Sequence, residues 1–301
     1  MKVIPPIVLT DSHLTSSSVT ENDTDDGALW AGATAYAIGA KVRNLHRRYQ
    51  RLVAGTTATA PGLDAINWLP LGATNPWRML AADGDYKTTG TSPMVVVIKP
   101  LVRATALAII GIVADSITVV QKDAAGTTVL TFTQNLVYRN TTTWSEYYFG
   151  AFTRRSAFVT MALLPITGAS ITITLTRATG NVSCGALAIG TPVDLGKILE
   201  GASVGALSFS RVERNEFGDS LVIKRRTVPR TSQTTLIEKT NVERARVTLT
   251  GLDGVTAMFI GIPDATSGYF NALCVLGLVK QWDIKLDTFN RGGLSIDLEG
   301  L

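Results

Sequence analysis

The sequence predicts a mainly β chain, and three observations carry that expectation. Runs rich in Val, Ile, Thr and aromatic residues recur from Met94 to Leu301, with Gly- and Asn-bearing turns between them. Charged residues make up only 17% of the chain, below the roughly 25% of an ordinary globular domain. Trp30, Trp68 and Trp77, three of the five tryptophans, crowd into one short stretch. The 301 residues suffice for two or three domains with real cores. The expected parts are an N-terminal extended arm at 1–27, a small aromatic domain at 28–80, a β-sandwich or jelly roll at 81–190, and a β-rich C-terminal domain at 191–301 with a single helix.

Each part has its own reason. Pro5 and Pro6 preclude a helix at the start and favour an extended strand, and the Ser/Thr/Asn/Asp stretch after it reads as a loop. Such an arm pairs either with a neighbouring molecule or within its own chain. In the aromatic part, AYAIGAKVR and RRYQRLVAG read as short strands joined by a turn at Asn44-Leu45-His46. A core this small depends on a few large rings.

Residues 81–190 hold MVVVIKP, ALAIIGIV, SITVVQK, TVLTFTQ, YYFGAF, FVTMALL and SITITLTR, all read as strands. Turn signals at Asp83-Gly84, Ala125-Gly126, Thr167-Gly168 and Gly180-Asn181 separate them. ITITLT alternates cleanly and predicts one buried face. Further on, TPVDLGKILEGASVG reads as a loop. SFSRVERNEFGDSLVIKRR reads as two strands around Gly218-Asp219. In NVERARVTLTGLDG, Val242, Ala245, Leu249 and Leu252 recur at helical spacing, while VTLT serves equally as a strand. ALCVLGLVKQWDIKL and LSIDLEGL are expected to pair across TFNRGG.

The composition excludes several functions. The net charge is +4, and the basic clusters at 43–51 and 224–230 are too small and mixed for a nucleic-acid surface. The longest apolar candidate, Ala104–Val120, is broken by Thr105, Asp115, Ser116 and Thr118, so no membrane span of roughly 18 residues is expected. Pro5 and Pro6 interrupt the run a signal peptide needs. Cys184 and Cys274 read as reduced buried residues or as one disulfide, and they form no metal motif. His13 and His46 stand in polar or basic stretches, away from any nucleophile motif, and no P-loop, GxSxG or HExxH occurs. The carboxylate pairs Asp25/Asp26 and Glu213/Glu216 sit in polar surroundings rather than facing each other across a cleft, as glycoside hydrolysis requires. No catalytic residue, metal ligand or cofactor is expected, and the chain is not read as an enzyme.

Two patterns resemble known families. Trp30, Tyr36, Gly39, Val42, Tyr49, Pro61, Trp68 and Gly72 follow an order similar to that of the small chitin- and cellulose-binding modules of secreted glycan hydrolases. The run from Cys184-Gly-Ala-Leu-Ala-Ile-Gly190 through Asp194-Leu-Gly196 and Ser210-Arg-Val-Glu-Arg-Asn-Glu-Phe-Gly218 to Ser295-Ile-Asp-Leu-Glu-Gly-Leu301 resembles tail-tip or minor tail proteins of tailed bacteriophages of proteobacteria, as does the opening VIPP…LTDS. This second resemblance implies a virion structural role in the tail tip or baseplate, in a protein made in the host cytoplasm. It implies as partners copies of the chain and other tail proteins (tail tube, hub, fibre). The first implies a contact with host surface polysaccharide, with Trp30, Tyr36, Tyr49 and Trp68 as candidate carbohydrate-binding residues or as core. RNLHRRYQRL departs from those modules by placing four arginines beside Tyr49. The alternative is a free carbohydrate-binding protein, or an accessory binding chain of a cell-wall hydrolase.

Overall fold

Alternation sets the central strands. In Ser170–Thr176, Ile171, Ile173 and Leu175 are buried while the Ser and Thr between them are half-buried. Val96 and Val119 flank Ile173 from the two neighbouring strands, so a buried apolar row crosses the sheet. Each such Val or Ile contributes about 1.5–3 kcal/mol by leaving water. The computed structural model describes residues 1–81, 87–139, 143–214, 216–264, 267–286 and 290–300. It is mainly β, with several antiparallel sheets. The Asp83-Gly84 turn, and Thr288 and Phe289 of the TFNRGG turn, lie outside the described residues.

The chain divides into two units, Met1–Pro6 with Ala188–Leu301, and Ile7–Leu187. The aromatic and central stretches therefore belong to one unit, and the first six residues join the C-terminal one. In the Ile7–Leu187 unit a five-stranded sheet runs in the order Thr128–Asn135, Ser116–Lys122, Ser170–Thr176, Met94–Ile98, Leu14–Ser17. Ala106–Ile110 and Ala157–Thr160 pair in a second, three-stranded sheet, and Phe132 of the first sheet meets Phe158 of the second with ring centroids 5.6 Å apart.

In the other unit is an eight-stranded sheet, of which seven strands form a path whose ends meet and the eighth, Ser203–Ser208, extends off it along Thr227–Ser232. The path begins at Val193–Asp194 and ends at Lys197–Ile198, and these are two halves of one segment. The first half pairs with Lys2–Val3 and the second with Thr235–Leu236. Gly196 makes the corner at φ +96°, where a Cβ would stand 2.3 Å from the Leu236 carbonyl oxygen. Lys239–Gly251 is the longer of two described helices in this unit, where a single one was expected; Phe270–Leu273 is the other. Ala245 and Leu249 of the longer one enter a core with Val3, Phe259, Leu294 and Ile296. The helical alternative prevails at VTLT because the 242/245/249/252 spacing fits that core. Thr248 and Thr250 also donate back to the Arg244 and Arg246 carbonyls.

One open alternative is decided and two expectations change. The 1–27 stretch pairs within its own chain: Lys2–Ile4 lies between Val193–Asp194 and Ala257–Ile260, and Leu14–Ser17 pairs with Met94–Ile98. Val3 and Ile4 are fully buried there, which secures within-chain pairing. YYFGAF is not a strand. Trp144–Phe149 is a helix because Thr143 and Glu146 form a reciprocal cap that satisfies the first amides. TPVDLGKILEGASVG is not simply a loop, since it supplies the corner where the ends of the seven-stranded path meet. ALCVLGLVKQWDIKL and LSIDLEGL do pair, as Cys274–Lys285 with Arg291–Gly300.

Candidate binding and assembly surfaces

The aromatic stretch folds around a two-residue hairpin turn. Leu45 and His46 both adopt positive φ, +48° and +59°, which joins Lys41–Asn44 to Arg47–Arg51 directly. Trp68–Ala73 adds to the far side of Arg47–Arg51. This registry sets Val42 opposite Tyr49 and Arg51 opposite Trp68.

The four candidate rings separate into two classes. Trp68 is 1% exposed and Tyr49 7%, and with Val42 they form the core of this stretch. A sugar cannot stack on faces already covered by protein, so Tyr49 and Trp68 are packing residues. Trp30 and Tyr36 are half-buried and lean on that core. Tyr36 meets Trp68 edge-on at 5.3 Å, and its hydroxyl accepts from the Ala31 amide at 2.9 Å. The indole N–H of Trp30 is buried without a hydrogen-bond partner among the described residues.

The arginines beside Tyr49 are mostly committed inward. The buried Arg51 guanidinium lies 4.9 Å from the Trp68 ring centre and donates to the Gly55 carbonyl at 3.3 Å. Arg48 donates to the Ala73 and Leu71 carbonyls, each at 3.1 Å. Arg43 pairs with Glu21 at 3.4 Å and with Asp23 at 2.5 Å. Glu21 also accepts from Thr74 at 2.6 Å and meets His46 Nδ1 at 2.9 Å. Burial alone would raise the Glu21 pKa, but the bonds from Thr74 and His46 and the charge of Arg43 outweigh it and hold the carboxyl below its usual range.

The C-terminal unit carries a different surface. Ser203–Ser208 pairs with Thr227–Ser232, and Arg211–Arg214 continues the ribbon against Ser220–Ile223. The Phe209 amide bonds to the Arg226 carbonyl at 3.1 Å, bridging the two sections. Val212 and Val222, directly opposite each other, are 58% and 66% exposed. Val204, Leu207, Phe209 and Leu221 are exposed as well. A two-stranded ribbon is marginal in water, and one that shows apolar side chains to solvent gains stability from a partner. Val212 between Arg211 and Glu213, with the apolar run Leu221-Val222-Ile223 across the turn, was the available sequence signal.

The same unit holds a groove of about 1160 Å³ lined by Met1, Lys197, Ile198, Glu238, Tyr269 and Arg291 among others. Its charges are mixed. Cys184 and Cys274 are free thiols, and burial pushes each up to about 12, which leaves them unreactive at neutral pH. His13 is buried, with Nδ1 held by the Thr10 amide at 3.0 Å and the Thr10 hydroxyl at 2.8 Å. Among the described residues no three His, Cys, Asp or Glu side chains gather as a metal site, and no helix is long and apolar enough to cross a membrane. No protein-family model matches the chain, and a search of curated proteins finds no match.

Proposed function

We propose that the chain is a structural component of a bacteriophage tail tip or baseplate, built into the virion through contacts with copies of itself and with other tail proteins. The observation that carries this reading is the exposed two-stranded ribbon of residues 203–232, with apolar side chains along it. An apolar ribbon on such a sheet is a docking element: the sheet supplies a rigid base and the ribbon supplies surface to bury. The low charge fraction fits the same role. In this reading residues 81–190 serve as a sandwich or jelly-roll carrier. The half-exposed Trp30 and Tyr36 then make whatever contact the aromatic module has with host glycans.

The test is the association state of the full chain. Sedimentation velocity across a concentration series should show a closed oligomer. Val212→Asp with Val222→Asp should release monomers whose circular dichroism spectrum matches the parent's, since both positions face solvent in one chain. A parent chain that stays monomeric at every concentration contradicts the reading. If that monomer is also retained on a polysaccharide column, the free carbohydrate-binding alternative takes its place.

A further inference from the structure

The exposed rings that the aromatic module lacks stand elsewhere in the chain. Val137–Tyr138 and Thr153–Arg154 pair antiparallel and close an excursion from the central sheets. Its base is fixed: Arg155 N donates to the Leu136 carbonyl at 2.9 Å, and Arg154 Nε to Asp115 at 2.8 Å. Trp144–Phe149 makes the short helix in it. The Glu146 amide donates to Thr143 Oγ1 at 3.2 Å, and the Thr143 amide to Glu146 Oε2 at 3.0 Å. Arg139 Nη1 donates to the Tyr147 carbonyl at 2.7 Å and Gly150 N to the Glu146 carbonyl at 2.8 Å. The backbone that carries the rings is therefore held before any ligand arrives.

The rings face solvent. Trp144 is 79% exposed and Phe149 87%, and Tyr147, Tyr148 and Phe152 are exposed too. Trp144 and Tyr148 lie near-parallel, 23° between planes and 6.5 Å between centroids. Arg139 lies 3.9 Å from the Phe152 ring centre, and at the base of the excursion Arg155 lies 5.2 Å from that of Tyr138. Among the described residues neither meets a carboxylate, because Glu146 is held in the cap and Asp115 by Arg154.

We propose that this shelf binds an anionic polysaccharide, with sugar rings stacked on Trp144 and Tyr148 and their carboxylates facing Arg139 and Arg155. Composition selects this occupant. From Thr143 to Arg155 the chain has no Leu, Ile, Val or Met. A lipid wedge brings aliphatic side chains with its aromatics. A sugar instead needs flat faces for its C–H groups and polar edges for its hydroxyls, and the Tyr hydroxyls and the indole N–H supply those edges. The cations add the preference for acidic over neutral sugars. The proposal adds a ligand site to the assembly reading without depending on it, since a monomer would carry the same shelf.

The experiment is native electrophoresis of the full chain through gels containing polygalacturonate, with dextran gels for comparison. The parent should be retarded strongly by polygalacturonate and weakly by dextran. Trp144→Ala with Tyr148→Ala, which leaves the charge unchanged, should weaken the polygalacturonate interaction about tenfold or more. Arg139→Gln with Arg155→Gln should abolish the difference between the two polymers. Thermal midpoints near the parent's show that both variants fold. Equal retardation of the ring variant and the parent overturns the proposal, because it leaves only the general attraction of a basic protein for a polyanion. No retardation of the parent overturns it as well. So does a ring variant that loses self-association or vesicle binding instead, since the shelf then serves protein or lipid.

Discussion

Two stretches of this chain are rich in aromatic residues, and they use them in opposite ways. Between Trp30 and Trp77 the rings turn inward: Trp68 and Tyr49 are the core, and Arg51 lies against the Trp68 ring. Between Trp144 and Phe152 the rings turn outward on one helical turn held by a cap. In the first stretch the other large apolar residues, Ile38, Leu45, Leu63 and Ile66 among them, stay outside, so its aromatics are consumed by folding. The second hangs from sheets that already have a core, so its aromatics are free for recognition. Counting rings does not separate the two cases, whereas asking what else fills the local interior does.

The largest expected effect sharpens this contrast. Trp68→Ala should destabilise its unit by about 3–5 kcal/mol in denaturant unfolding, whereas Trp144→Ala should change stability by no more than about 0.5 kcal/mol. Equal costs at the two positions would break the comparison.

A second difference is electrostatic. Glu21 ties Arg43, Thr74 and His46 to the aromatic stretch, and its folded pKa lies below the unfolded one. Its stabilisation is complete above the unfolded pKa and is lost as pH falls through the folded pKa. Acid titration of stability should therefore fall less steeply in Glu21→Gln than in the parent. Identical acid limbs would show that the network contributes nothing.

Much of this organisation was legible in the residues. Ser-Ile-Thr-Ile-Thr-Leu-Thr declared its buried face by period, and the 242/245/249/252 spacing offered the helix beside a strand at VTLT that it could not exclude. The paired C-terminal strands were legible too. What escaped was of two kinds. Tyr147-Tyr148-Phe149 carry strand propensity, but the Thr143/Glu146 cap decided for a helix. Burial of Tyr49 and Trp68, and the return of Lys2–Ile4 into a sheet with residues near 193 and 258, depend on contacts distant in sequence that no local pattern records.

That cap yields a smaller prediction. Thr143→Ala should cost the short helix about 1 kcal/mol and speed amide exchange at Tyr147 and Gly150, with global stability unchanged. Unchanged exchange would mean that Arg139 alone holds the turn. The smallest effect expected is none: Cys184 and Cys274 should resist maleimide at pH 8 in the native chain and react only after unfolding.

The central claim is that function resides where apolar surface stays outside, on the ribbon of residues 203–232 first of all. Hydroxyl-radical footprinting with mass spectrometry, on the chain at low and at high concentration, tests it most directly. Phe209, Val212 and Val222 should be oxidised at low concentration and protected at high, with Tyr49 and Trp68 protected in both. Equal oxidation of the ribbon in the two states, or ready oxidation of Trp68 in the folded chain, would contradict the account.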